Sequence, residues 1–109
     1  MLTTRTHNTQ QQNTVDFEIH NNTFRGSIPA SLSNCLNLET ITIDSTYITG
    51  TVPSELGNLR TLFLFRLTNT EVYGTMPQEI CDGKIVDEII MADCLKESKF
   101  SCSCCDKCY

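Results

Sequence analysis

Apolar residues recur along this chain in a block that is repeated at a fixed distance. The segment FRGSIP at residues 24–29 returns as ITGTVP at 48–53 and as VYGTMP at 72–77, so both intervals are 24 residues long. A fixed period in the twenties predicts a solenoid, in which each repeat buries its apolar side only by stacking on its neighbours. The chain is therefore expected to be a stack of similar units.

The spacing of apolar residues within each repeat predicts the elements of the unit. Each repeat opens with two apolar residues two positions apart, namely Phe17 and Ile19, Ile41 and Ile43, and Phe65 and Leu67. Side chains at this spacing lie on one face of a strand. A turn glycine follows, and then a proline, which suits the first position of a helical segment. Each unit thus reads as strand, turn and short helix, and the strands should stack as a parallel sheet.

The two ends of the chain depart from this pattern. Residues 1–14 are mostly Thr, Gln and Asn, which predicts a disordered polar segment. The repeats occupy residues 15–93 as three full units and a partial fourth, whose last strand is predicted near 88–92. At the 24-residue offset, Glu88 and Ile90 of this strand would face outward. Residues 94–109 form a Cys-rich cap that covers the last apolar edge.

The repeat pattern resembles a known family. Residues 38–57, LETITIDSTYITGTVPSELG, fit the plant-type leucine-rich repeat consensus L-x-x-L-x-L-x-x-N-x-L-x-G-x-I-P-x-x-L nearly position by position. The resemblance implies an α/β solenoid with a short parallel β-sheet on its concave face and short helical or 3₁₀ turns on its convex side. The tail is similar to the C-terminal ends of diatom and algal leucine-rich repeat proteins.

The chain differs from the family at the asparagine position of the repeat. Asn22 occupies it in the first repeat, but Thr46 and Thr70 replace it in the next two, and Cys94 stands there in the last. The asparagine side chain lies inside the turn and satisfies backbone groups that would otherwise be buried unpaired. Because threonine has one hydroxyl and less reach, we expect looser turns after the second and third strands.

Seven cysteines are many for a chain of 109 residues, and six of them follow residue 80. This density favours an oxidising compartment and disulfides in the tail. Cys35 falls on the helical side of its repeat and is expected to be a buried thiol. The disulfide candidates are Cys81, Cys94, Cys102, Cys104, Cys105 and Cys108, and their spacing leaves the connectivity open.

Two further expectations concern these cysteines. We expect Cys81 and Cys94 each to tie the last repeat to the tail, and Cys104 and Cys105 to pair outward, because a bond between adjacent residues strains the backbone. The alternative is zinc held by the four thiolates within residues 102–108. It is less favoured because structural zinc sites use two separated pairs of ligands, so no metal is predicted.

The cysteines indicate the cellular location of the protein more strongly than its N-terminal residues do. The first residues contain no apolar signal-peptide core, and no run reaches the about 18 apolar residues of a membrane-spanning helix. The protein is therefore either secreted, with its start missing here, or intracellular. The cysteines favour an extracellular or cell-surface location, where the sequon at Asn21 could be glycosylated.

The net charge and the lack of cofactor motifs exclude several classes of function. A net charge of −5 argues against nucleic acid as a partner, and no cofactor motif is present. The family resemblance implies binding on the concave face, where the outward candidates are Glu18, His20, Thr42, Asp44, Arg66 and Thr68. His20 beside Asp44 lacks a neighbouring nucleophile, so the protein is not predicted to be an enzyme.

The sequence thus predicts a non-catalytic module that binds a protein or peptide ligand. It would be a receptor-like fragment of a longer secreted or cell-surface protein. One alternative is the ectodomain end of a leucine-rich repeat receptor kinase whose catalytic part lies outside this chain. The other is a small Cys-rich metal-binding or structural protein.

Overall fold

The computed structural model describes residues 2–6, 14–20, 23–83 and 88–109. Short strands and short helical segments alternate along the repeats. The strands are β1 (Leu2–Thr6), β2 (Thr14–His20), β3 (Arg25–Ser27), β4 (Thr40–Asp44), β5 (Tyr47–Gly50), β6 (Leu64–Thr68), β7 (Glu71–Val72), β8 (Gly74–Thr75), β9 (Ile89–Ala92), β10 (Phe100–Ser101) and β11 (Lys107–Cys108). The helical segments are two 3₁₀ helices, Ala30–Asn34 and Ser54–Asn58, and α1, Gln78–Asp82.

The main sheet contains one strand from each repeat. Its order is β1-β2-β4-β6-β9-β11, and all neighbours are parallel except β1 and β2. Phe17 pairs with Ile41 and Ile41 with Phe65, which confirms the 24-residue offset for the first three repeats. These side chains are buried together because the pleat sends alternate residues to the same side of the sheet.

The turn that follows each main strand leads into a second, smaller sheet. Its strands are β3, β5 and β7, and the pair β8 and β10 lies beyond them along the chain. Gly26, Gly50 and Gly74 have φ values of 111°, 87° and 93°, a backbone conformation that side chains with a Cβ oppose. A proline then precedes each helical segment, and Leu32, Leu56 and Ile80 of those segments are buried.

Threonine takes over the role of asparagine in two of the turns. The Thr46 hydroxyl accepts a hydrogen bond from the backbone N–H of Ile48 at 3.3 Å, and the Thr70 hydroxyl accepts one from Val72 at 3.4 Å. Each threonine thus satisfies one N–H at the start of the second sheet, and the greater looseness of these turns stays a prediction. Asn22, and with it the sequon at Asn21, lies outside the described residues.

The N-terminal segment differs from its prediction. Residues 2–6, expected to be disordered, form β1 and pair antiparallel with β2, with Leu2 opposite Ile19. Composition favours disorder when a segment must fold alone, but an unpaired edge strand offers a row of backbone donors and acceptors that a polar segment can satisfy. Hydrogen bonding to this edge therefore requires little apolar content from residues 2–6.

The last main strand lies in a different register from the one predicted. Ile90 pairs with Phe65 and Ala92 with Leu67, an offset of 25 residues (90 − 65) where the earlier offset is 24 (65 − 41). A shift of one residue exchanges the two faces of a strand. Ile90 is consequently buried, Ile89 faces outward, and Glu88 is buried just before the strand.

The change of helix type gives a physical reason for the extra residue. The first two repeats have 3₁₀ helices on their convex side, whereas the third has α1. An α-helix rises about 1.5 Å per residue and a 3₁₀ helix about 2.0 Å, so the α-helical segment spans less distance for the same length. The repeat that contains this α-helical segment is also the one with the additional residue before its next strand.

The C-terminal tail covers the last repeat by continuing both sheets. β10 pairs with β8 and β11 with β9, both in parallel, and the Phe100 side chain is buried in the core. In addition, the Asp106 carboxylate accepts a hydrogen bond from the backbone N–H of Ile90 at 2.8 Å. The cap is therefore held by backbone pairing and one buried aromatic as well as by its cysteines.

All six disulfide candidates are paired. Cys81 bonds Cys104 and Cys94 bonds Cys108, so two bridges join the last repeat to the tail. The third bridge, Cys102 to Cys105, lies within the tail, and the adjacent residues Cys104 and Cys105 are not bonded to each other. Cys35 is a buried thiol that takes part in none of these three disulfides. The four tail sulfurs of the zinc alternative are thus engaged in disulfides rather than present as thiolates.

Candidate functional site

The concave face of the main sheet carries the outward side chains that the repeat pattern predicted. Glu18, Thr42 and Arg66 form one row across β2, β4 and β6, and His20, Asp44 and Thr68 form the row beside it. His20 is exposed, and the others are half-buried except Thr68, which is buried. That these six residues bind a ligand stays a prediction.

Three of the six are joined by hydrogen bonds. Arg66 donates from Nε to the Thr68 hydroxyl at 3.2 Å, and that hydroxyl donates to the Asp44 carboxylate at 2.5 Å. This chain of bonds uses Nε of Arg66 and leaves its two terminal nitrogens out. Thr68 thereby links the Arg66 side chain to the Asp44 carboxylate.

The same type of bond recurs one repeat earlier. The Thr40 hydroxyl donates to the Asp16 carboxylate at 2.6 Å across β4 and β2. Asp16 is itself buried, so this pair joins β2 to β4 and offers little surface to a ligand. With Glu18, His20, Thr42 and Asp44 facing outward, the N-terminal half of the face is polar and mildly acidic.

The C-terminal half of the face is apolar and basic, a feature that the sequence analysis did not find. We define the apolar patch as Leu64, Ile89, Met91 and Tyr109; Ile89 is 47% exposed and Tyr109 is 43% exposed. Leu64 pairs with Ile89, and Met91 lies between Arg66 and Lys107 in one row across β6, β9 and β11. A guanidinium and an ammonium therefore flank an apolar surface.

The C-terminal residues complete this patch. The Tyr109 hydroxyl donates to the sulfur of Met91 at 3.5 Å, and the Lys107 ammonium lies 5.2 Å from the centroid of the Tyr109 ring. The 24-residue period predicts that the side chains of Ile89 and Met91 face inward. The pairing of β11 with β9 has no counterpart in the repeats. Only a sequence signal for the α-helical segment of the third repeat would have predicted the correct register of β9.

A separate cavity of about 450 Å³ lies where the main strands end and the second sheet begins. It is open to solvent on one side, the turns that follow β4 and β6 form its walls, and its lining is largely polar. The lining residues are Thr23, Ser45, Thr46, Tyr47, Asn69, Thr70 and Glu71. We call this cavity the turn pocket.

The one charged residue in the lining of the turn pocket is held by a salt bridge. Glu71 Oε2 accepts a hydrogen bond from the Lys99 ammonium at 2.6 Å, and this bond, together with the charge of Lys99, lowers the pKa of Glu71 below 4.5. A depressed carboxylate pKa contributes stability above the unfolded-state value, and this contribution is lost as the pH falls through the folded-state value. Because both side chains are exposed, the contribution is small.

We expect Lys99→Met to raise the pKa of Glu71 toward 4.5, which a pH titration of the Glu71 side-chain carboxyl carbon by NMR would measure. The matched control is Lys96→Met, which removes the same charge from an exposed position of the tail. An unchanged Glu71 midpoint in Lys99→Met, or an equal change in both variants, would contradict the assignment of Lys99 as the cause.

No group of three or more His, Cys, Asp or Glu side chains is placed to hold a metal ion within the described ranges. Among the helices that the structure describes, none has the length and apolar character needed to cross a membrane.

Comparisons with known proteins agree with this geometry. The Leucine Rich Repeat family model matches residues 37–59. Twenty-four chains of known structure match, among them "Plant peptide hormone receptor RGFR1 in complex with RGF2", with a TM-score of 0.67 and 23% sequence identity. That match covers 84% of this chain and 14% of the receptor chain. No curated protein matches the chain.

The stacked parallel strands, the short 3₁₀ turns and the matched repeat define the fold: the chain folds as a leucine-rich repeat solenoid. Its turns, GSIP, GTVP and GTMP, resemble those of the plant-type variant. The Cys-rich cap forms three disulfides.

Proposed function

We propose that this protein is a non-catalytic binding module whose concave face holds a peptide or a segment of a protein. The observation that carries the proposal is the apolar patch flanked by Arg66 and Lys107. Exposed apolar side chains gathered on one face, with a charged rim, are typical of interaction surfaces. A ligand with an apolar side chain next to a carboxylate would complement this half of the face.

The class of partner has support from the structural neighbour. That protein is named as a peptide hormone receptor and was solved in complex with RGF2. The present chain spans 14% of the length of that receptor chain, so only the fold is carried over from it. The proposal for this chain rests on its own apolar patch and on Arg66.

An extracellular or cell-surface location is part of the proposal. Three disulfides in 109 residues are stable in an oxidising compartment and are rare in the cytosol. The same argument fits a fragment of a longer secreted protein and the ectodomain end of a receptor kinase. The metal-binding alternative is not supported, because its candidate thiolates form disulfides.

The proposal is tested by selecting peptides from a random displayed library on the immobilised protein and measuring the affinity of one synthetic peptide by calorimetry. We expect Arg66→Gln to weaken binding about tenfold, because a guanidinium that meets a carboxylate on a partly buried face is lost. Arg60→Gln, the same change at an exposed position outside the main sheet, should leave the affinity unchanged.

Two results would contradict the proposal. One is an equal loss of affinity in Arg66→Gln and Arg60→Gln. The other is a set of selected peptides without acidic and apolar residues. Circular dichroism of both variants controls for loss of fold, since Arg66 also bonds Thr68.

A further inference from the structure

The turn pocket is built from side chains that can both donate and accept hydrogen bonds. Thr23, Ser45 and Thr70 contribute hydroxyls, Asn69 contributes an amide, and Glu71 contributes a carboxylate. Its volume of about 450 Å³ lies within the range of small-molecule sites. The pocket lies off the concave apolar patch, in the turns between the two sheets, so it is independent of the proposed peptide site.

Two repeat-related residues share an unusual backbone conformation in this pocket. Ser45 and Asn69 have φ values of 56° and 52°, in the left-handed region that residues other than glycine seldom adopt. Asn69 donates from Nδ2 to the Ser45 hydroxyl at 3.1 Å. That bond leaves the Ser45 proton, the Asn69 carbonyl and a second amide proton as hydrogen-bonding groups at the pocket.

An aromatic ring forms another part of the wall. Tyr47 is 49% exposed, and the Arg25 guanidinium lies 4.9 Å from its ring centroid, from the neighbouring strand β3. Asn69 and Thr70, which come from the next repeat, complete the lining beyond Tyr47. A half-exposed tyrosine offers both an apolar ring and a hydroxyl to a ligand.

Among the described residues, the lining of the pocket includes no cation. Glu71 is paired with Lys99, and Arg25, which is stacked on Tyr47, is not a lining residue. A phosphate or sulfate would require a cation free to meet it, and a lipid would require an apolar lining. The carboxylate of Glu71 can still accept hydroxyl protons, because it has two oxygens with several lone pairs.

From these features we propose that the turn pocket binds a short neutral saccharide. Sugar hydroxyls match the mixed donors and acceptors of Ser45, Asn69 and Glu71, and the C–H face of a sugar ring matches the face of the Tyr47 ring that Arg25 does not cover. The saccharide is either free or attached to a glycoprotein, since both present the same ring and hydroxyls.

The test is an NMR titration of the isotope-labelled, oxidised protein with millimolar cellobiose, maltose and xylobiose in turn, and with a glycopeptide that carries a neutral glycan. We expect at least one probe to shift the amide signals of residues 45–47 and 69–71 together. A shift with a disaccharide assigns the site to free saccharides, and a shift with the glycopeptide alone assigns it to glycoproteins. Tyr47→Ala should weaken the association about tenfold.

Tyr73→Ala is the matched control, because Tyr73 is also 49% exposed but does not line the pocket. The proposal is overturned if no probe shifts these amides, if Tyr47→Ala and Tyr73→Ala weaken binding equally, or if the unglycosylated peptide shifts them as strongly. Peptides that bind the concave face would instead perturb residues 64–66 and 89–91, so failure of one site is distinguishable from failure of the other.

Discussion

Replacing Ile90 by lysine is expected to unfold the protein, whereas the same replacement at Ile89 leaves the fold intact. Ile90 is 0% exposed and packs in the column of Phe65, while Ile89 is 47% exposed on the concave face. A lysine at residue 90 would bury an unpaired ammonium in the core, at a cost of more than about 4 kcal/mol. At residue 89 the ammonium would stay in water, and the cost should be below about 1 kcal/mol.

Urea denaturation followed by circular dichroism measures both variants against the parent protein. The comparison isolates the effect of burial, because the two residues are adjacent and of the same type and so have the same strand propensity and hydrophobicity. The 24-residue period predicts the opposite order, with Ile89 inward and Ile90 outward. Greater stability of Ile90→Lys than of Ile89→Lys would therefore overturn the 25-residue register.

Removing the bridge between Cys81 and Cys104 is the second change with a large expected effect. These residues are 23 positions apart, so their bond closes a long loop and restricts the unfolded chain strongly. Chain-entropy arguments give about 3.5 kcal/mol for a loop of this length. The bridge also joins α1 to the tail, so without it the cap that contains Phe100 is held by β10, β11 and the Cys94–Cys108 bond.

The matched control is the bridge between Cys102 and Cys105, which are three positions apart. The same argument gives about 2 kcal/mol for so short a loop. We therefore expect the double variant Cys81→Ser, Cys104→Ser to be about 1.5 kcal/mol less stable than Cys102→Ser, Cys105→Ser in urea denaturation. An equal loss, or the reverse order, would contradict this role of the Cys81–Cys104 bridge.

Thiol labelling checks that each variant retains the remaining bonds. Alkylation without reductant after unfolding should modify one thiol in the parent protein and in both double variants, and that thiol is Cys35. More than one modified thiol in a variant would show that its other bridges had failed to form, and its stability could not then be assigned to a single bond.

The repeat period predicted much of the fold because it is a local signal that recurs. Phe17, Ile41 and Phe65 stand at one offset, and parallel stacking turns that offset directly into register. The turn glycines and the proline before each helical segment follow from backbone sterics alone. The site was less predictable: Arg66 and Asp44 were expected on the concave face, but the bonds through Thr68 depend on neighbouring strands.

The sequence by itself determined the class of fold, the first three strand registers and which cysteines would be available for bonding. The tertiary structure decided the register of β9, the pairing of β1 and β11 with the sheet edges, and the choice of cysteine partners. The physical reason is the range of the interactions. Periodicity and backbone sterics act within one repeat, whereas edge pairing, disulfide geometry and the length spanned by α1 depend on where distant residues meet.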